Sequence, residues 1–120
     1  MEIDEKLVKA REKAIGWVEK KNYKSIKASF GDEYTEPKSF TSNGNSITPD
    51  ITAESTTGKS YFEIAQKTSK KQLLITKWKL LSLLATRKNG QFVIFVPHGH
   101  KSFAQQIIEN YHITAKLIAI

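Results

Sequence analysis

Asp50 and Glu63 are the two residues whose types and spacing point most directly to chemistry on a charged substrate. Each falls in a short run with strand character, residues 46–54 and 60–66. The connection between them, Ser55-Thr56-Thr57-Gly58-Lys59, carries the glycine expected of a hairpin. Side chains two apart on a strand share a face. Thr48, Asp50, Thr52 and Glu54 therefore line up in the first run, and Tyr61, Glu63, Ala65 and Lys67 in the second. Hairpin pairing brings Asp50 beside Glu63, and a slip in register would part them. Two carboxylates at one point suit Mg²⁺ or Mn²⁺, which prefer oxygen ligands. Such an ion orients water and offsets charge building on a phosphate during hydrolysis. Two solvated acids balancing nearby lysines would give the same local pattern.

The charge distribution favours a phosphate-bearing partner. The chain has 120 residues and a formal net charge of +7. Between Glu63 and Glu109 there is no acid, while Lys67, Lys70, Lys71, Lys77, Lys79, Arg87, Lys88 and Lys101 all lie there. A segment of one sign makes a field that attracts polyanions, and nucleic acid is the commonest large one. Lys70, Lys71 and Lys77 are the expected phosphate contacts, and DNA, duplex or branched, is the expected partner. The absence of cysteine excludes disulfides and Cys-ligated zinc. No apolar run reaches the ~20 residues of a membrane helix, and the acidic start Met1-Glu2-Ile3-Asp4-Glu5 lacks the order of a secretory signal. A cytoplasmic protein with no membrane partner is the expectation.

Positioning these residues requires a framework. Residues 4–22 carry Leu7, Val8, Ala14, Ile15 and Val18 at helical spacing, with Asp4 as N-cap. Residues 23–30 alternate as a strand with Ile26, Ala28 and Phe30 on one face. Residues 31–45 are polar, hold Pro37, Asn43 and Gly44, and read as a long functional loop. After the two hairpin strands, residues 70–88 form the strongest helix, ended by Asn89-Gly90. Residues 91–96 are almost wholly apolar, as in a strand buried on both faces. A short helix over 101–111 and a final strand over 116–120 complete the chain. The order α-β-β-β-α-β-α-β predicts a single α/β domain over 1–120, with a mixed central β-sheet flanked by helices.

Order and motif together carry a resemblance. Pro49-Asp50, followed thirteen residues on by Glu63 within Phe62-Glu63-Ile64, on the second and third strands of this order, resembles the PD-(D/E)XK nuclease superfamily. That superfamily includes restriction endonucleases and archaeal-type Holliday-junction resolvases, and the resemblance spans about residues 5–120. It implies a restriction-endonuclease-like fold and a metal-dependent DNA endonuclease or resolvase, with Asp50 and Glu63 binding Mg²⁺ or Mn²⁺. It also implies a lysine two residues after the glutamate, where this chain has Ala65. Lys67, on the same strand face, is the first substitute, and Gln66 a second if a bulge turns it inward. Many members carry a further glutamate on the first helix, which makes Glu12 a possible third metal ligand. The departure at Ala65 keeps a second reading open, a catalytically inactive nuclease-like module that binds nucleic acid or serves assembly. A small domain gripping a two-stranded substrate also suits a homodimer.

The remaining polar and aromatic residues divide between packing and contact. His98 and His100 flank Gly99 after the apolar strand, without the partners of a zinc site, and fit a polar turn. Trp17 and Trp78 stand at apolar positions of helices and fit the core. Tyr34 and Phe40, in the polar loop, are the aromatics better placed to touch nucleic acid.

Overall fold

The computed structural model describes residues 4–42 and 44–120. Helix α1 (Glu5–Glu19) starts where Asp4 accepts hydrogen bonds from the N–H groups of Lys6 and Leu7, at 3.0 and 3.4 Å. These bonds satisfy donors that the first turn leaves free. Its buried stripe is Ala10, Ala14 and Val18, four residues apart and so on one face. Strand β1 (Lys24–Ala28) follows through Asn22, which adopts positive φ.

Two short strands then interrupt the stretch read as loop. β2 (Phe40–Ser42) and β3 (Asn45–Ile47) pair antiparallel as a separate two-stranded sheet, with Gly44 at φ +79 in the turn. The strand expected over 46–54 is accordingly broken: β3 ends at Ile47 and β4 (Ile51–Glu54) begins after Thr48-Pro49-Asp50. Pro49 is buried and has no N–H to offer a ladder, so the pairing changes partners there. The rest follows the expected order: β5 (Lys59–Ile64), α2 (Lys71–Arg87), β6 (Phe92–Val96), α3 (Lys101–Asn110) and β7 (Lys116–Ala119).

The main sheet runs β1-β4-β5-β6-β7 and is mixed. β1, β4 and β5 pair antiparallel, whereas β5, β6 and β7 pair parallel across the helical connections α2 and α3. Alternation along β5 divides the core. Phe62 and Ile64 pack with α1 and with Val93 and Phe95 of β6. Tyr61 and Ala65 pack with Ile75, Trp78 and Leu81 of α2, with Ala104 and Ile107 of α3, and with Phe92, Ile94 and Val96. β6 is therefore buried on both faces, as its apolar run requires. Trp78 is fully buried, and Trp17 packs edge-on against Phe62 and Phe95, so both tryptophans serve the core.

Two glycines hold the base of the sheet together. A Cβ built at Gly58, in the β4–β5 turn, would collide with the backbone of Lys88 and Asn89. One built at Gly90 would collide with the backbone of Lys59 and Ser60. The end of α2 thus seats directly on the start of β5, with the Lys59 N–H donating to the Lys88 carbonyl at 3.1 Å. No helix among the described residues is long and apolar enough to cross a membrane.

Candidate active site

The register of β4 and β5 brings the two acids together. Ile51 lies opposite Phe62, so the residue before β4, Asp50, falls opposite Glu63. Each carboxylate then accepts a backbone N–H from the other's strand. The Asp50 N–H donates to Glu63 Oε2 at 2.8 Å, and the Ile64 N–H donates to Asp50 Oδ2 at 2.9 Å. The Asp50 carbonyl accepts from the Ser29 N–H at 2.9 Å, which fixes the break after Pro49 against β1.

One oxygen of each carboxylate remains, and both turn toward the same cation. Lys77, on the sheet-facing side of α2, places Nζ 3.1 Å from Glu63 Oε1 and 3.9 Å from Asp50 Oδ1. Glu63 is 2% exposed, while Asp50 and Lys77 are about a quarter exposed, at 26% and 23%. The trio thus opens to solvent at Asp50 and closes at Glu63.

Burial sets the protonation of this group. It raises the Glu63 carboxyl, and the negative charge of Asp50 raises it further. Attraction to Lys77 and the hydrogen bond from the Asp50 N–H only partly offset this, leaving the carboxyl pushed up to about 8. Burial alone would lower the Lys77 ammonium, but the carboxylates of Glu63 and Asp50 outweigh it and hold Lys77 above its ordinary value. Lys77 is therefore a fixed positive charge, and Glu63 is the member of the trio that exchanges a proton near neutrality.

The other residues singled out in the sequence take different places. Lys67 is exposed beyond the end of β5, and its backbone N–H donates to His100 Nδ1 at 3.2 Å. Gln66 is half-buried beside it. The side chain that meets the two carboxylates is not Lys67 but Lys77, which was expected, with Lys70 and Lys71, to contact phosphates. Lys70 and Lys71 stand exposed at the start of α2. Glu12 is exposed on α1, the helix that packs on the opposite face of β5 from Glu63. It lines a cavity of about 330 Å³ with Arg11, Phe30 and Tyr34. Among the described residues no three His, Asp or Glu side chains converge, so Glu12 does not join Asp50 and Glu63. Tyr34 donates its hydroxyl to Glu19, and Phe40 packs half-buried against the α2-side core.

The donor set nevertheless suits a small hard cation. Asp50 Oδ1 and Glu63 Oε1 converge, and their partner oxygens are pinned by backbone N–H groups. Mg²⁺ typically takes one or two carboxylates, keeps several waters and completes its shell with substrate phosphate. Asp50 and Glu63 supply two such carboxylates, exposed to solvent on the Asp50 side. Comparison with family models, with curated proteins and with solved structures gives no match to this chain.

Proposed function

We propose that this protein is a metal-dependent phosphodiesterase acting on DNA, an endonuclease or resolvase of PD-(D/E)XK type, with Lys77 in place of the motif lysine. The observation that carries the reading is the convergence of Asp50 Oδ1, Glu63 Oε1 and Lys77 Nζ at one open end of the sheet. The element order, with the β2–β3 hairpin inserted before Asp50, and the mixed sheet with helices on both faces support a restriction-endonuclease-like arrangement.

In this reading Asp50 and Glu63 hold Mg²⁺ or Mn²⁺. When bound, the ion supplies a positive centre that orients water and offsets charge gathering on the phosphate. Glu63 would hold the ion in its deprotonated form, because a cation beside it would compensate the buried carboxylate charge. Lys77 stays protonated throughout. It therefore serves as a donor and charge stabiliser for a non-bridging phosphate oxygen, not as a base. Lys70 and Lys71, at the start of the same helix, take flanking phosphates. The assay is cleavage of plasmid, single-stranded and four-way-junction DNA with Mg²⁺, Mn²⁺ or EDTA.

One observation favours a second reading. Lys77 already neutralises much of the carboxylate charge and stands where the free oxygens converge, so the trio is stable without an ion. A chain that keeps this ion pair for its fold and binds DNA without cutting it would look the same. Cleavage that requires a divalent ion and both carboxylates decides for the enzyme.

A further inference from the structure

A second basic surface lies at the other end of the same sheet face, and three local features build it. The first is a bulge in β1. Lys24 pairs with Glu54 and Lys27 with Thr52, the register shifting between them, and Ser25 adopts φ 52. The extra residue turns Lys24 and Lys27, three apart, onto the face that carries Thr52 and Glu54. A left-handed backbone at a non-glycine residue costs free energy, and here it aims two lysines together. The second feature is the row across three strands, in which Glu54 pairs with Lys24 on one side and Lys59 on the other. The third is the glycine-mediated seating of α2 on β5, which sets Lys88 beside Lys59.

The result is Lys24, Lys27, Lys59 and Lys88, with Lys38 close enough to repel Lys59 and Glu54 alone opposing them at Lys59. Lys24, Lys38 and Lys88 are exposed, and Lys27 and Lys59 are half-buried. Burial and then the repulsion of Lys27, Lys88 and Lys38 hold the Lys59 ammonium below its ordinary value, against the opposing pull of Glu54. No salt bridge links Glu54 to any of these lysines among the described residues. Like charges gathered this way without ion-pair partners call for an external anion.

We infer that Lys24, Lys27, Lys38, Lys59 and Lys88 form a second phosphate-backbone contact, which grips the nucleic acid at a distance from the carboxylate site. Glu63 lies four positions after Lys59 on β5, about 13 Å at the ~3.3 Å rise of a strand. That span matches about four phosphates along one DNA strand at 3.4 Å of axis each. The proposal rests on the nucleic-acid reading above, and four of its five contacts, all but Lys88, lie outside the acid-free segment that suggested that reading.

The test is fluorescence anisotropy of the full chain with a labelled DNA duplex in EDTA, titrated with salt. Wild type should bind with a log–log salt slope that falls by up to about three units in the triple variant Lys24→Gln, Lys27→Gln, Lys59→Gln, since each neutralised phosphate contributes about 0.9. The pair Lys38→Gln, Lys88→Gln, both exposed, should lower the slope by up to about two. An unchanged slope in both variants overturns the inference. So does a wild type that fails to bind DNA, or one that binds vesicles of anionic phospholipid through these lysines and ignores DNA. Binding in EDTA makes no use of an ion at Asp50 and Glu63. Patch-dependent binding without cleavage under any ion thus removes the nuclease reading alone, and cleavage with patch-independent binding removes this inference alone.

Discussion

Lys77 Nζ lies 3.1 Å from Glu63 Oε1, a contact between the middle of α2 and a glutamate that is 2% exposed on β5. This pair, and not the residue two beyond the glutamate, supplies the positive charge at the site. Lys77→Met should therefore reduce metal-dependent cleavage about 10²–10³-fold, the usual loss when one preorganised electrostatic donor is removed. Lys67→Ala should leave the rate within a few-fold, because Lys67 is exposed beyond the strand end. Single-turnover cleavage of the two variants measures this. Equal losses in both would return the role to the strand lysine.

The Glu63 carboxyl predicts how stability depends on pH. Its folded pKa, raised to about 8 by burial, lies above the value of about 4.5 for the free side chain. Between these values the folded state holds a proton that the unfolded state has lost, so stability falls as pH rises through that window and levels off above about 8. Glu63→Gln mimics the protonated form. Its stability advantage over wild type should be near zero at about pH 4.5 and should widen toward about pH 8. Urea unfolding of both proteins across this range gives the comparison. A constant difference would show that Glu63 does not titrate there.

In the proposed reading the same carboxyl links the ion to the proton. Mg²⁺ or Mn²⁺ binding by wild type should release protons below about pH 8, and affinity should rise with pH up to that point and then flatten. Calorimetry in buffers of different ionisation enthalpy counts the protons. In Glu63→Gln both the binding and the release should be lost.

The site was partly legible in the sequence. The period-two placement of Asp50 and Glu63 depends only on strand alternation and a short hairpin turn, both local, and the register sets them opposite each other. Lys77 was visible as a basic residue, but its inward aim follows from how α2 rotates on β5 and β6. Trp78 and Leu81 fix that rotation by tertiary packing. The β2–β3 hairpin escaped because its strands are only three residues long and half of their residues are exposed. Only Gly44 and the half-buried Phe40 betray it. The bulge at Ser25 was hidden for a related reason: it comes before Ile26 and Ala28, whose apolar alternation it leaves intact.

Gly90→Ala tests the seating of α2 on the sheet. The added Cβ meets the Lys59 backbone, which cannot rotate away. Overpacking of this kind costs about 1–3 kcal/mol. Chemical denaturation should show a lower midpoint for Gly90→Ala. Gly16→Ala, where a Cβ meets nothing within 4 Å, should be neutral or mildly stabilising. A neutral Gly90→Ala would mean that α2 and β5 do not dock so closely.

The most direct test of the central claim is the cleavage of supercoiled plasmid and four-way-junction DNA by purified wild type, Asp50→Asn and Lys77→Met, each with Mg²⁺, Mn²⁺ or EDTA. The trio of Asp50, Glu63 and Lys77 predicts nicked or resolved product from wild type with a divalent ion, none in EDTA, and losses of about 10²-fold or more in both variants. Wild type that binds these DNAs and cuts none of them with either ion would contradict it.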